Sequence, residues 1–301
     1  MRVYLSDIVY WLGLGICIFN VLLSFSYLLL YNLRFSSGVL KKLAGVGAFF
    51  VFSCFTLQSS YLDRGMPWRV LSFAVVSCIL LQFVIMRQRE LEKTSMELLR
   101  AVVGVIEAGD PNLDGHSLNV QNLSMLLYDY LPIRCKLKVN PKALAYASLL
   151  LDIGKLGIPR KVIDKPGKLD SDEWFMIKRH PEIGMRILEP IASMEEVREM
   201  IMYHHERVDG DGYLQLKGDE IPFGSRIIAV ADAYSAITMD RSYKASLSFE
   251  DALLELKLSA SSQLDPLLVD IFCSIPIRKI KESYEEAKKV MERYGGENFR
   301  K

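Results

Sequence analysis

Histidine is scarce in this chain: four in 301 residues, at His116, His180, His204 and His205. Cysteine is nearly as rare at five, and no two are spaced C-x-x-C. Cys17, Cys54 and Cys78 fall in long apolar runs, leaving Cys135 and Cys273 elsewhere. That pattern excludes a disulfide framework and suits a reducing compartment. A strong charge of either sign is also missing, with 37 basic residues against 36 acidic. The balance itself argues neither way on nucleic acid. However, no basic tract stands apart from the apolar runs, so no DNA or RNA partner is expected. No alternating apolar–polar stretch is long enough for a sheet, and the fold class expected is all-α.

Apolar residues are abundant, at 50%, and they concentrate at the N-terminus. Residues 8–33 give 26 consecutive uncharged positions, 43–62 give 20 and 70–86 give 17. A membrane-spanning helix takes about 20 apolar residues, within a range of about 17 to 25. Three transmembrane helices are therefore expected, the third short and flanked by Trp68 at the interface. A cleaved signal peptide would have an apolar core of only about 7 to 15 residues and a small-residue cleavage site. The first run is too long, and no such site precedes Arg34. The first connector and the segment after the third run carry six basic residues, Arg34, Lys41, Lys42, Arg87, Arg89 and Lys93. The N-terminus and second connector carry three, Arg2, Arg64 and Arg69. Basic loops stay inside, so the N-terminus is expected outside and the C-terminal part in the cytoplasm, as a multi-pass protein of the inner (cytoplasmic) membrane.

Past the membrane part (1–86) the periodicity turns amphipathic. Residues 87–108 read as a linker helix in which Leu91, Leu98, Val102 and Val105 approximate a heptad seam broken at Ser95. The seam fits either packing on the chain's own domain or a parallel coiled coil in a homodimer. Val120, Leu123, Leu127 and Leu131 fall at helical spacing over 116–131, and a second helix covers 142–153, stopped at Gly154. Helices are also expected after Ser171, from Pro181 in a first turn, over 195–205 and over 221–239. Ser248 with Asp251 resembles a capping box, and Asp265-Pro266 opens another helix. Residues 276–301 hold a charged helix with a narrow apolar seam, Ile277, Ile280, Tyr284, Ala287, Met291 and Tyr294, expected to pack on the domain or on a second copy.

The four histidines sit in ordered company. Leu151-Asp152-Ile153-Gly154-Lys155 is followed by His180-Pro181, His204-His205-Glu206, Asp209-Gly210-Asp211-Gly212-Tyr213, Asp232 and Asp240-Arg241-Ser242-Tyr243-Lys244. Over about residues 107–275 this order and spacing resemble the HD-GYP family, metal-dependent phosphodiesterases that hydrolyse cyclic di-GMP. The resemblance implies an HD-type helical bundle over 109–275. It also implies a dinuclear centre of iron or manganese. Two such ions activate a shared water and clamp the phosphate, and imidazole with carboxylate suits them.

By this resemblance His116, Asp152 and Asp232 serve one metal. Asp152 bridges, and His180, His204 and His205 complete the second. Asp152 and Lys155 belong to the catalytic machinery. Lys155, Gly212, Tyr213, Arg241 and Lys244 form the substrate contacts, the last two gripping phosphate. In that family the residue before Asp152 is a histidine; here it is Leu151, which binds no metal. One metal is thus expected to bind tightly while the other site is weakened. Asn112 stands where a third metal's glutamate would be, Leu214 replaces the proline of the signature loop, and Ser235 replaces a second aspartate. The lost proline should loosen its turn. Two expectations follow: a signalling protein that binds cyclic di-GMP, or a partner protein, with little or no cleavage, or a weakened phosphodiesterase. A third reading, an HD-superfamily phosphohydrolase of mononucleotides, fits the Gly-Tyr loop and the Arg-x-x-Lys pair poorly.

Overall fold

The structure is a computed structural model. It describes Trp11, Gly15 and residues 67–108, 115–165, 167–239 and 246–294; at 67–81, 108, 291, 293 and 294 it describes the backbone alone. Among the described residues there is no strand, only an isolated bridge between Ala260 and Leu264, and the all-α expectation stands. Ten helices of more than one turn are described: α1 Pro67–Ala108, α2 His116–Tyr130, α3 Pro141–Leu150, α4 Ser171–Lys178, α5 His180–Ile187, α6 Glu195–Met202, α7 Phe223–Thr238, α8 Phe249–Ser259, α9 Pro266–Ser274 and α10 Ile277–Tyr294. The chain divides into two compact units, Met1–Ser95 and Met96–Lys301, with the boundary inside the predicted linker helix.

The first two apolar runs lie outside the described residues, and the third falls on the start of α1, mostly where only backbone is described. Among the described residues no helix is long and apolar enough to cross a membrane.

Local chemistry sets the helix starts. Asn140 accepts from the N–H groups of Lys142 and Ala143 at 3.0 and 3.4 Å ahead of Pro141, which opens α3 without needing a donor. Asp170 and Glu173 form a reciprocal capping box for α4. Asp265 caps α9 through Leu267 and Leu268. Ser248 caps α8 by accepting from the N–H of Asp251 at 3.0 Å, but its hydroxyl donates to the Asp251 side chain at 2.6 Å, so the reciprocal backbone bond of a full capping box is replaced.

α2 is the central element. Its Val120, Leu123 and Leu127 are buried against Leu144 and Ala147 of α3, Ile227, Val230 and Ala231 of α7, and Leu268 and Phe272 of α9. Each of the Val, Leu, Ile and Phe side chains among them contributes about 1.5–3 kcal/mol on burial. Tyr234 lies tilted against Phe272 with ring centroids 5.0 Å apart and donates its hydroxyl to the carbonyl of Phe249 at 3.0 Å, so its polar tip is satisfied inside the core. On α10, Ile280 and Ala287 are buried, so its seam packs on its own domain.

Two expectations need correcting. Leu91, Leu98, Val102 and Val105 are exposed, whereas Val103 is buried and Met96 and Leu99 pack on the core. α1 therefore meets its domain through a different face from the heptad seam. And α3 ends at Leu150; Gly154 does not stop it but lies within a 3-10 turn, Ile153–Gly157. A Cβ at Gly154 would come within 1.9 Å of the His180 carbonyl oxygen, so this turn rests directly on the start of α5.

Candidate metal centre

α5 and α6 bring three of the four histidines together. Their ligand atoms all lie within 4.8 Å of one another, and the Nε2 atoms of His180 and His204 are 3.3 Å apart. Two are aimed by the backbone just before them. His180 Nδ1 lies 2.8 Å from the carbonyl of Ile177, and His204 Nδ1 lies 2.6 Å from that of Ile201. A ring whose Nδ1–H is held by a carbonyl presents a lone pair at Nε2, the state a metal needs. Asp152 joins this cluster, its Oδ1 lying 3.4 Å from His180 Nε2. The contact is made by the turn that Gly154 lets approach α5.

His116 lies at the start of α2 and meets Asp232 of α7, Nε2 to Oδ1, at 3.0 Å. Its Nδ1 lies 3.0 Å from Ser235 Oγ, which also accepts from the Asn119 amide at 3.0 Å. Leu151 contributes nothing to this side; it is 1% exposed, packed in the hydrophobic core.

The charges of the two groups bear on each other. Burial alone would raise the Asp152 carboxyl, but Lys155, His180 and His116 outweigh it and hold it far below the usual range. Lys155 Nζ donates to Asp152 Oδ2 at 2.7 Å. Burial likewise works to raise Asp232, and the bond and charge of His116 overcome it. Burial, aided by His204, lowers His180 to about 4 against the pull of Asp152. His205 is pushed well below its ordinary value by burial and by His204. Ionised carboxylates among neutral imidazoles are the donor set a divalent cation takes. The residues present fit a metal at the His180, His204, His205 and Asp152 cluster, and offer a thinner set at His116 and Asp232.

The loop after α6 closes over one side. A Cβ at Gly212 would meet Glu206 Cα at 2.6 Å, so only glycine fits there. Tyr213 lies against His205 with ring centroids 4.8 Å apart, and Lys178 sits 5.2 Å over its face. Burial and the charges of Asp152 and Asp232 push the Tyr213 hydroxyl up to about 12. Leu214 brings an N–H that proline lacks, and donates it to Glu206 Oε1 at 2.6 Å, while Leu216 donates to Oε2 at 2.8 Å. Glu206 was visible only as the third letter of the His-His-Glu block; its role as a tie between loop strands depends on the folded turn. Arg241, Lys244 and Asn112 lie outside the described residues.

A family model described as HD domain matches residues 135–268. A "Probable cyclic di-GMP phosphodiesterase" of Vibrio cholerae is 34% identical over 203 residues, covering 63% of this chain and 46% of that protein. A "3'3'-cGAMP-specific phosphodiesterase 2" of the same organism is 33% identical over 185 residues, 60% of this chain and 35% of that one. A "Cyclic di-GMP phosphodiesterase" of Thermotoga maritima is 37% identical over 146 residues, 48% and 39% of the two chains. The chain thus spans less than half the length of these curated relatives.

Proposed function

We propose, from the premise that this chain belongs to the HD-GYP family of HD domains, that it is a membrane-anchored signalling protein that binds a cyclic dinucleotide, cyclic di-GMP first, with little or no hydrolysis. One observation carries this reading. Leu151 is packed 1% exposed in the core at the position of the missing imidazole, beside an otherwise complete three-histidine cluster. His180, His204, His205 and Asp152 would hold one iron or manganese ion tightly. His116, Asp232 and the shared Asp152 would hold the other weakly. When both are bound, such ions supply charge neutralisation at phosphate and an activated water.

The chain's own residues do the recognition. Lys155, 28% exposed at its side chain, can reach a phosphate oxygen beside Asp152. Tyr213 offers a flat face next to His205, and Arg241 and Lys244 are expected to grip the second phosphate. Grip without a complete hydrolytic centre is the state of a receptor. The exposed Leu91, Leu98 and Val105 leave an apolar seam for a parallel helix of a second copy, which supports a homodimer.

The relatives' names favour a second reading, an active phosphodiesterase on cyclic di-GMP or on 3'3'-cGAMP. The full chain in detergent separates the two. One tightly held metal per chain after dialysis, with binding but no turnover of either nucleotide, is the expected result. Two stoichiometric metals, or turnover of about 1 per second or more, an ordinary enzymatic rate, would overturn the receptor reading. Membrane orientation has its own test: a reporter fused after Lys301 should be active only on the cytoplasmic side.

A further inference from the structure

One edge of the candidate centre is built on a cation held by rings. Tyr213, whose ring lies 4.8 Å from that of His205, carries the Lys178 ammonium 5.2 Å over its face. The same ammonium lies 5.8 Å over the ring of Trp174, one turn back along α4. Both distances fall within the roughly 6 Å at which a ring face attracts a cation. A short succession of side chains thus leads from a candidate metal ligand to the last turn of a surface helix.

The neighbouring cations are held differently. Lys165 pairs with Glu173 and Asp170, and Arg179 and Arg186 both pair with Glu182. Lys178 has no carboxylate partner among the described residues; two rings hold it instead. A carboxylate occupies the N–H donors of an ammonium. A ring face fixes the charge in place and leaves its three donors to an anion.

α4 also exposes apolar surface that its own packing does not explain. None of its residues is buried, and three successive side chains, Trp174, Phe175 and Met176, are 48%, 66% and 38% exposed. Such a run is a fault in a surface helix unless it has a use. Trp174 reaches the lysine, which ties its ring to the tyrosine side of the centre. An exposed ring beside an available cation suits a nucleotide, whose base stacks while its phosphate accepts from the ammonium.

We propose that the Trp174–Lys178 edge of α4 forms the outer wall of the nucleotide site, Lys178 donating to a phosphate oxygen and Trp174 stacking on a base. This rests on the cyclic-dinucleotide reading above, and adds two residues to the contacts expected of Lys155, Tyr213, Arg241 and Lys244. Tyr213 then also positions Lys178, so the loop after α6 acts on the ligand through a side chain of another element.

The test uses the full chain in detergent, loaded with manganese, with Trp11→Phe and Trp68→Phe so that Trp174 is the sole tryptophan. Cyclic di-GMP should quench its fluorescence saturably, with the midpoint found for binding by equilibrium dialysis. Lys178→Gln should weaken binding at least about tenfold, the low end for a hydrogen bond to a charged group. It should also flatten the fall in affinity with added salt. Trp174→Ala should weaken binding at least about fivefold, the low end for a lost stacking ring, whereas Trp174→Phe should keep most of it. Each variant should retain the tightly held metal, which shows that α4 and His180 after it are in place. The quenching needs no change in α4, so it decides even where a variant loses its metal. Binding without quenching, or unaltered affinity in either Lys178→Gln or Trp174→Ala, would overturn the proposal and leave the receptor reading standing. No binding by the parent chain would overturn both.

Discussion

The two halves of the centre are built on different principles. In the half formed by α5 and α6, the rings of His180 and His204 are aimed by carbonyls three residues before them, at Ile177 and Ile201. In the other half, His116 depends on Asp232 and Ser235, 116 and 119 residues away in the chain. The first arrangement forms whenever its helix ends form. The second needs α2 and α7 packed in register, and it shares Asp152 through a turn that must lie against α5. A site whose support is local keeps its ligands when a distant residue changes, whereas one assembled from afar has more positions at which to fail. Leu151 is one such position.

If that comparison holds, the largest effect of any single substitution falls on the local half. His204→Ala removes one imidazole of three and leaves the others without a centre. Since disturbing even the partners of ligands costs about 10–100-fold, tight-metal affinity should fall by at least about 100-fold, read by elemental analysis after dialysis. Retention of a stoichiometric metal would mean that the tight site lies elsewhere. The pH dependence follows from the same burial. His180 is lowered to about 4, so it stays neutral through the range where an ordinary imidazole, near 6.5, takes a proton. Metal should therefore be retained to lower pH than a surface histidine site would allow. In metal-stripped protein the unfolded chain binds the extra proton between about 6.5 and 4, so stability falls as pH drops through that window.

Leu151→His probes the other half, and its effect should be next in size. The side chain is buried in the core, and an imidazole there without a partner costs about 1–3 kcal/mol. The variant should melt lower than the parent when stripped and recover when manganese is added. Its second metal should bind at least about tenfold more tightly, and hydrolysis of cyclic di-GMP should rise with it. Two metals without turnover would put the defect in the substrate loop rather than in the ligand set.

What the sequence made legible tracks the same division. Histidine is scarce enough to mark only four residues, and the structure gathers three of them, with Asp152 beside them. The start of α9 was visible because Asp265 acts on neighbours two or three positions away. Contacts spanning the fold were not. Nothing in the sequence says that Glu206 takes two backbone donors across its loop, one of them from Leu214, at the position of the family's proline. The face that α1 buries was hidden too, because a heptad seam is a regularity of sequence whether or not the domain uses it. Gly154 looked like a helix stop; its real constraint is the carbonyl of His180, a neighbour only after folding.

Ser235→Ala is the finest test, since it touches the distant half alone. Ser235 is fully buried on α7, and its hydroxyl stands between His116 Nδ1 and the Asn119 amide. Where the family pattern has an aspartate, the serine offers one neutral acceptor, enough to orient the ring but not to strengthen its basicity as a carboxylate would. Removing it forfeits a hydrogen bond worth about 1 kcal/mol, which corresponds to about fivefold in affinity. The weak site should lose that much in a manganese titration. The tight site should stay within about twofold, because the hydrogen bonds of Ser235 go to His116, Asn119 and Met239 and to none of the tight site's ligands. Equal weakening of both would mean that Asp152 couples them strongly enough to act as one unit, and the contrast between a local and a distant half would then describe how the centre is built but not how it binds.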